Sequence, residues 1–188
     1  MGSLSNCLII LVRAFVFLIF ILVANSDDRL IATLCGKTDE PKICQDCLHS
    51  DPNGSSANAQ EKPRENSLFL TGLAVIALDC AERDTRQLQE ETTKLTRNAT
   101  GKLEQALKQC SDDSFMAQQD FDPLKRYVGE GYYKNARDVL TAETIPHILS
   151  CLKAFDEFPD LPVPSSVIAG TVASNQSSQN AASILASI

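Results

Sequence analysis

Tryptophan is absent from the 188 residues, aromatic side chains make up only 6%, and histidine occurs twice. With so few aromatics, a hydrophobic content of 44% must come mainly from Leu, Ile, Ala and Val. That composition suits helices better than sandwiches or barrels, whose strands usually draw on aromatic and β-branched side chains. The two histidines, His49 and His147, share no ligand-spaced pair, so no metal is assigned. Basic charge is also in deficit: 17 Lys and Arg stand against 24 Asp and Glu, a net charge of −7. This is the wrong sign for neutralising nucleic-acid phosphates, and a partner with a basic surface is the better fit. The length allows one domain with a real core and excludes a large multidomain enzyme.

Catalytic signatures are missing as well. There is no Gly-x-Ser-x-Gly elbow, no phosphate-cradling glycine loop and no His-Glu-x-x-His helix. The acidic pairs Asp27-Asp28, Glu90-Glu91 and Asp112-Asp113 are adjacent in sequence, whereas glycosidase carboxylates must converge across a cleft. They read as solvated helix faces. Cys44-Gln45-Asp46-Cys47 has the spacing of a redox dithiol, but no thioredoxin-like strand precedes it, and structural disulfides are favoured. His147, next to Pro146, reads as a partly buried structural histidine in preference to a pH sensor. No catalytic residue and no cofactor is assigned.

What the chain does have begins at its N-terminus. Leu8 to Val23 is almost continuously apolar apart from Arg13, and it ends in Ala24-Asn25-Ser26 before an abrupt acidic turn at Asp27-Asp28. The run is short for a membrane span, and small residues occupy the −3 and −1 positions, so residues 1–26 read as a secretory signal peptide cut after Ser26. The competing reading is an uncleaved signal anchor, since Arg13 sits inside the run and no charge precedes it. Cleavage removes Cys7 and leaves Cys35, Cys44, Cys47, Cys80, Cys110 and Cys151, an even set as an oxidised secreted domain requires. No later apolar run is long enough to span a bilayer, so no membrane association is expected after cleavage. Asn53, Asn98 and Asn175 head glycosylation sequons.

Along the mature chain, two short helical segments between Arg29 and His49 flank a turn at Lys37 to Pro41. A Cys35–Cys44 bridge there would close a loop of about ten residues and contribute roughly 2 to 3 kcal/mol. Ser50 to Asn66 reads as an irregular connector. From Ser67 to Thr96, Phe69, Leu73, Ile76, Cys80, Leu88 and Leu95 recur on one face of a long helix, opposite Asp79, Glu82, Arg83, Arg86 and Glu90. Asn98 to Gly101 supplies the stop. A second helix carries Leu103, Leu107, Cys110, Ala117 and Phe121 until Pro123 breaks or turns it. After Gly129 to Gly131, Ala136, Leu140, Thr144, Ile148, Cys151 and Phe155 mark a third, in which Pro146 predicts a kink. Pro159, Pro162 and Pro164 form a linker to a weakly amphipathic last helix, Ser165 to Ile188, whose apolar ends flank a polar middle. Short connections make this all-α chain an up-and-down bundle, in which Cys110 and Cys151 can bridge two helices. Six cysteines allow 15 connectivities, and counting alone does not choose among them.

The order of several short motifs resembles the plant invertase and pectin methylesterase inhibitor family. Leu34-Cys35-Gly36-Lys37-Thr38 opens the series, with Cys44 nine positions on and Leu48-His49-Ser50-Asp51-Pro52 after it. Leu70-Thr71-Gly72-Leu73-Ala74, Leu107-Lys108-Gln109-Cys110, Gly131-Tyr132-Tyr133 and Cys151-Leu152-Lys153-Ala154-Phe155 follow in order. The resemblance implies one inhibitor-like domain over residues 27–188, an N-terminal helical hairpin on a four-helix bundle, with Cys35 bonded to Cys44 and Cys110 to Cys151. Cys47 and Cys80 are additions to the usual four, and a third bridge between them is expected. Such proteins are not enzymes; they bind a carbohydrate-active enzyme one to one and obstruct its cleft. Some members that inhibit invertase carry Pro-Lys-Phe where this chain has Gly131-Tyr132-Tyr133-Lys134, which tilts the expected target from acid invertase to pectin methylesterase. Asp112-Asp113-Ser114-Phe115 and Pro146 depart from the family pattern. The expected contact residues are Asp79, Glu82, Arg83, Arg86 and Glu90, with Asp112 and Asp113 beside Cys110. The expected setting is the cell wall, with the vacuole as alternative. A secreted helical interaction or storage protein without an enzyme target is the other class of reading.

Overall fold

The computed structural model describes residues 28–50 and 66–188, with backbone alone for residues 66–69, and Arg13. The apolar N-terminal run apart from Arg13, the cut after Ser26, most of the connector with Asn53, and the side chain of Phe69 lie outside the described residues. All regular structure among the described residues is helical. Helix α1 covers 28–35 and α2 covers Pro41–His49. The bundle is formed by α3 (Asn66–Thr96), α4 (Lys102–Gly129), a segmented third member and a final helix. The third member consists of α5 (Tyr133–Val139), a π turn (Leu140–Thr144) and α6 (Ile145–Asp156); the final helix is α7 (Ser165–Leu185). α3 packs on α4 and α7, and α6 closes the ring by packing on both. The hairpin of α1 and α2 sits at one end, with α2 against α3 and α7.

The turns follow from backbone chemistry. Gly101 (φ 65°) and Gly131 (φ 81°) both adopt the left-handed region, which lets the chain reverse between α3 and α4 and leave α4 without a Cβ penalty. Three disulfides staple the result: Cys35–Cys44 within the hairpin, Cys47–Cys80 from α2 to α3, and Cys110–Cys151 from α4 to α6. The expected third bridge is therefore present.

The prolines behave differently from expectation. α4 continues through Pro123 to Gly129. A helix-interior proline costs about 3 kcal/mol, but Phe121, Leu124 and Val128 are all fully buried around it. Three such side chains contribute more than that, at about 1.5 to 3 kcal/mol each. Pro146 occupies the first turn of α6, where it follows the π turn and donates no N–H to the carbonyls before it. This five-residue π turn, Leu140–Thr144, lies directly before α6 and marks the irregularity in this member of the bundle.

Two apolar clusters fill the interior. The one at the hairpin end joins Ile31, Leu34 and Leu48 to Leu78, Phe121 and Leu185; the one at the far end holds Leu88, Leu107, Phe155 and Val167 with the Cys110–Cys151 bridge. At the middle of α7 the buried side chains are polar and small. Thr171, Ser174, Ser177 and Ser178 are all under 5% exposed, as is Thr85 opposite them on α3. Thr85 Oγ1 donates to Ala81 O at 2.8 Å and lies 2.6 Å from Ser174 Oγ, while Thr171 and Ser177 donate to their own helix carbonyls. Hydroxyls satisfied within one helical turn can be buried at little cost, Ser178 Oγ alone of this set being buried without a partner, and the small volume of these side chains lets α3 and α7 approach closely. At Gly170 a Cβ would lie only 3.0 Å from Leu88 Cδ1.

Candidate functional site

The charged stripe of α3 divides once α4 is beside it. Lys125, on α4, places Nζ 2.5 Å from both Asp79 Oδ1 and Glu82 Oε2, and the other oxygen of Glu82 accepts from Arg86 Nη2. Four charges thus form one network along the α3–α4 seam. Burial acts to raise the Glu82 carboxyl, but the hydrogen bond and charge of Lys125, joined by Arg86, outweigh it and hold the group below the ordinary glutamate range. Burial likewise acts to lower the Lys125 ammonium, and Asp79 with Glu82 reverses it, leaving Lys125 raised. Arg83 turns away from this network to bind Asp84 at 3.0 Å, and Glu90 is exposed.

Asp112 and Asp113 fall on a different side. Ser111 meets Thr93 of α3 at 2.9 Å, so at 100° per residue the next two positions turn outward and then towards α6. Asp112 is exposed. Asp113 accepts from Gln109 Nε2 at 3.1 Å; burial raises its carboxyl, while Gln109 and the nearby His147 oppose the rise. Two turns along the same flank, Asp120 accepts from Thr144 Oγ1 at 3.0 Å, and it too is raised by burial, against Thr144 and His147. The seven expected contact residues therefore occupy two faces, the α3–α4 seam and the outer flank of α4.

Sequence reasoning missed Lys125, because an ending at Pro123 removed it from the helix that carries it. It also missed Phe115 and Met116, 47% and 51% exposed on the outer flank of α4 beside Asp112. The signal for these two was available: a large apolar pair off the Leu107, Cys110, Ala117 and Phe121 core positions. Among the described residues no group of three His, Cys, Asp or Glu could hold a metal, and no helix is long and apolar enough to cross a membrane. Asn98 is exposed in the α3–α4 turn, whereas Asn175 lies inside α7 with Oδ1 buried and unpartnered.

Nothing in this arrangement converges on a reacting atom; it offers a rigid, stapled surface. Residues 29–188 match the family model described as plant invertase/pectin methylesterase inhibitor. A pectinesterase inhibitor of Actinidia deliciosa is 25% identical over 139 residues, spanning 73% of this chain and 69% of that protein. The crystal structure of mutant form A of a pectin methylesterase inhibitor from Arabidopsis is similar at a TM-score of 0.64 and 17% identity, over 83% of this chain and 95% of that one. A pectin methylesterase inhibitor from Arabidopsis thaliana gives 0.57 and 18%, over 84% and 95%. At these identities the two structures bear on the fold alone.

Proposed function

Since the chain belongs to the plant invertase/pectin methylesterase inhibitor family, we propose that it is a secreted protein inhibitor that binds pectin methylesterase one to one in the cell wall and blocks its cleft. It is an inhibitor-type protein and not an enzyme. The observation that carries the reading is the surface itself: a bundle held by three disulfides, with Phe115 and Met116 exposed beside Asp112 on one helix flank. A preorganised scaffold loses little conformational entropy on docking, aromatic and Met side chains are enriched in interface cores, and net negative charge steers encounter with a basic enzyme. Asp79 and Glu82, already tied to Lys125, serve to hold the seam, and Arg86 and Glu90 rim the contact, while Arg83, turned to Asp84, stands off it. The relative from Actinidia and the lack of Pro-Lys-Phe before Lys134 support pectin methylesterase over acid invertase. A signal peptide over residues 1–26 accords with a family match that begins at residue 29. In this reading Asn98 is open to a glycan and Asn175 is not, while Asn53 lies outside the described residues.

Titrating the oxidised protein into parallel pectin methylesterase and acid invertase assays at mildly acidic pH tests this. Stoichiometric loss of pectin methylesterase activity is expected, weakened at least about tenfold by Phe115→Ala with Met116→Ala. Loss of invertase activity alone would reassign the target, and loss of neither would return the chain to the class of non-inhibitory helical proteins.

A further inference from the structure

Where the hairpin meets the bundle, a cavity of about 250 Å³ opens to solvent between α2, α3 and α7. Ile43, Leu48, Ala77 and Ile184 give it apolar walls, and the Cys47–Cys80 bridge forms part of its lining. An apolar cavity of about 150 Å³ already accommodates benzene, so this one has room for a six-membered ring and a substituent. One polar group in the wall is unusual. Asn180 is only 6% exposed, lines the cavity, and its carboxamide has no hydrogen-bond partner among the described residues. Because the cavity opens to solvent, this amide is met there by water or by a ligand that replaces it.

Charge narrows the ligand. Asp46 and Asp84 line the cavity with a single cation, Arg83, and Arg83 is already bound to Asp84. Asp46 is likewise paired with Lys42, so the wall offers no free charge to an anion or to a cation. A carboxamide is both donor and acceptor, and its complement is a second carboxamide or lactam offering C=O and N–H on one edge. We infer that this cavity is a binding site for a small neutral amphipathic molecule, a ring bearing a primary amide or lactam, held by paired hydrogen bonds to Asn180 and apolar contact with Ala77 and Ile184. The site stands apart from the outer flank of α4 proposed to meet the enzyme, so its occupancy is separable from inhibition.

Benzamide is the probe, with toluene and benzoate as comparisons, titrated into the oxidised protein and followed by backbone amide NMR. Benzamide is expected to shift Ala77 and Ile184 saturably, with a dissociation constant of about 1 mM or tighter. Asn180→Leu is expected to weaken it about fivefold while inhibitory stoichiometry stays unchanged. Absence of saturable shifts at these residues, or equal affinity in Asn180→Leu, overturns the proposal. Should that variant fail to fold by circular dichroism, the ranking on the unaltered protein decides: benzamide above both toluene and benzoate supports the site, and any other order overturns it.

Discussion

Lys125 is the residue on which most charge depends, because one ammonium serves both Asp79 and Glu82 on the neighbouring helix. Replacing it with Met keeps the stem and strips two half-buried carboxylates of their partner, so Lys125→Met is expected to destabilise the protein by about 1 to 2 kcal/mol, read from the urea midpoint. The carboxylates also set the pH response. Glu82, held below its ordinary value, contributes stability that is present above the unfolded glutamate range and lost as pH falls through its lowered value. Asp113 and Asp120, raised by burial, act in the opposite sense: their contribution is complete below the unfolded aspartate range and lost as pH rises through their raised values. Stability should therefore peak in mild acid. Asp120→Asn keeps an acceptor for Thr144 and removes the buried charge, so it should raise the melting temperature at neutral pH and leave it little changed in strong acid. A fall at neutral pH would show that the ionised form is the one the fold prefers.

Among the elements, α7 shows where the sequence was readable and where it was not. The spacing of Leu73, Ile76, Cys80 and Leu88 located the buried face of α3, and all six positions from Ala136 to Phe155 on the third member are buried as read. Apolar periodicity was sufficient there because the core is made of large side chains. In α7 Val167, Ile184 and Leu185 are buried but so are Ser174 and Ser178, while Ile168 and Val172 are 43% and 45% exposed. Hydropathy cannot mark a core face whose members are chosen for small volume, whether the hydroxyl bonds a neighbour, as Ser174 does with Thr85, or is buried unpartnered, as in Ser178. The continuation of α4 past Pro123 was hidden for a related reason, since local propensity opposes it and only tertiary burial sustains it. Gly170 measures how tightly α7 is drawn in. Gly170→Val places two methyl groups where one Cβ already meets Leu88, and it should destabilise by about 1 to 3 kcal/mol in thermal melts. The seam partner Lys125 and the apolar pair Phe115 and Met116 were invisible as a site because a charge stripe on one helix does not reveal how its neighbour divides it.

At the scale of the whole molecule, the Cys47–Cys80 bridge joins two units each closed by its own disulfide, the hairpin by Cys35–Cys44 and the bundle by Cys110–Cys151. With a sequence separation of 33, its loss in Cys47→Ser/Cys80→Ser should cost about 3 to 4 kcal/mol by the loop-entropy model, seen as a lower denaturant midpoint with little change in helical content. An unchanged midpoint would mean that packing of α2 on α3 and α7 already confines the hairpin. The layer of buried hydroxyls around Thr85 and Ser174 has a consequence of its own. It divides the interior into two apolar compartments along one bundle, each anchored by different staples and joined by the helices that run through both. Amide protons of α3 near Leu78 and those near Leu88 then belong to separate cooperative units. In native-state hydrogen exchange they would sort into two isotherms, one falling with loss of the hairpin end and one with loss of the Cys110–Cys151 end, so the molecule yields in halves before it yields as a whole.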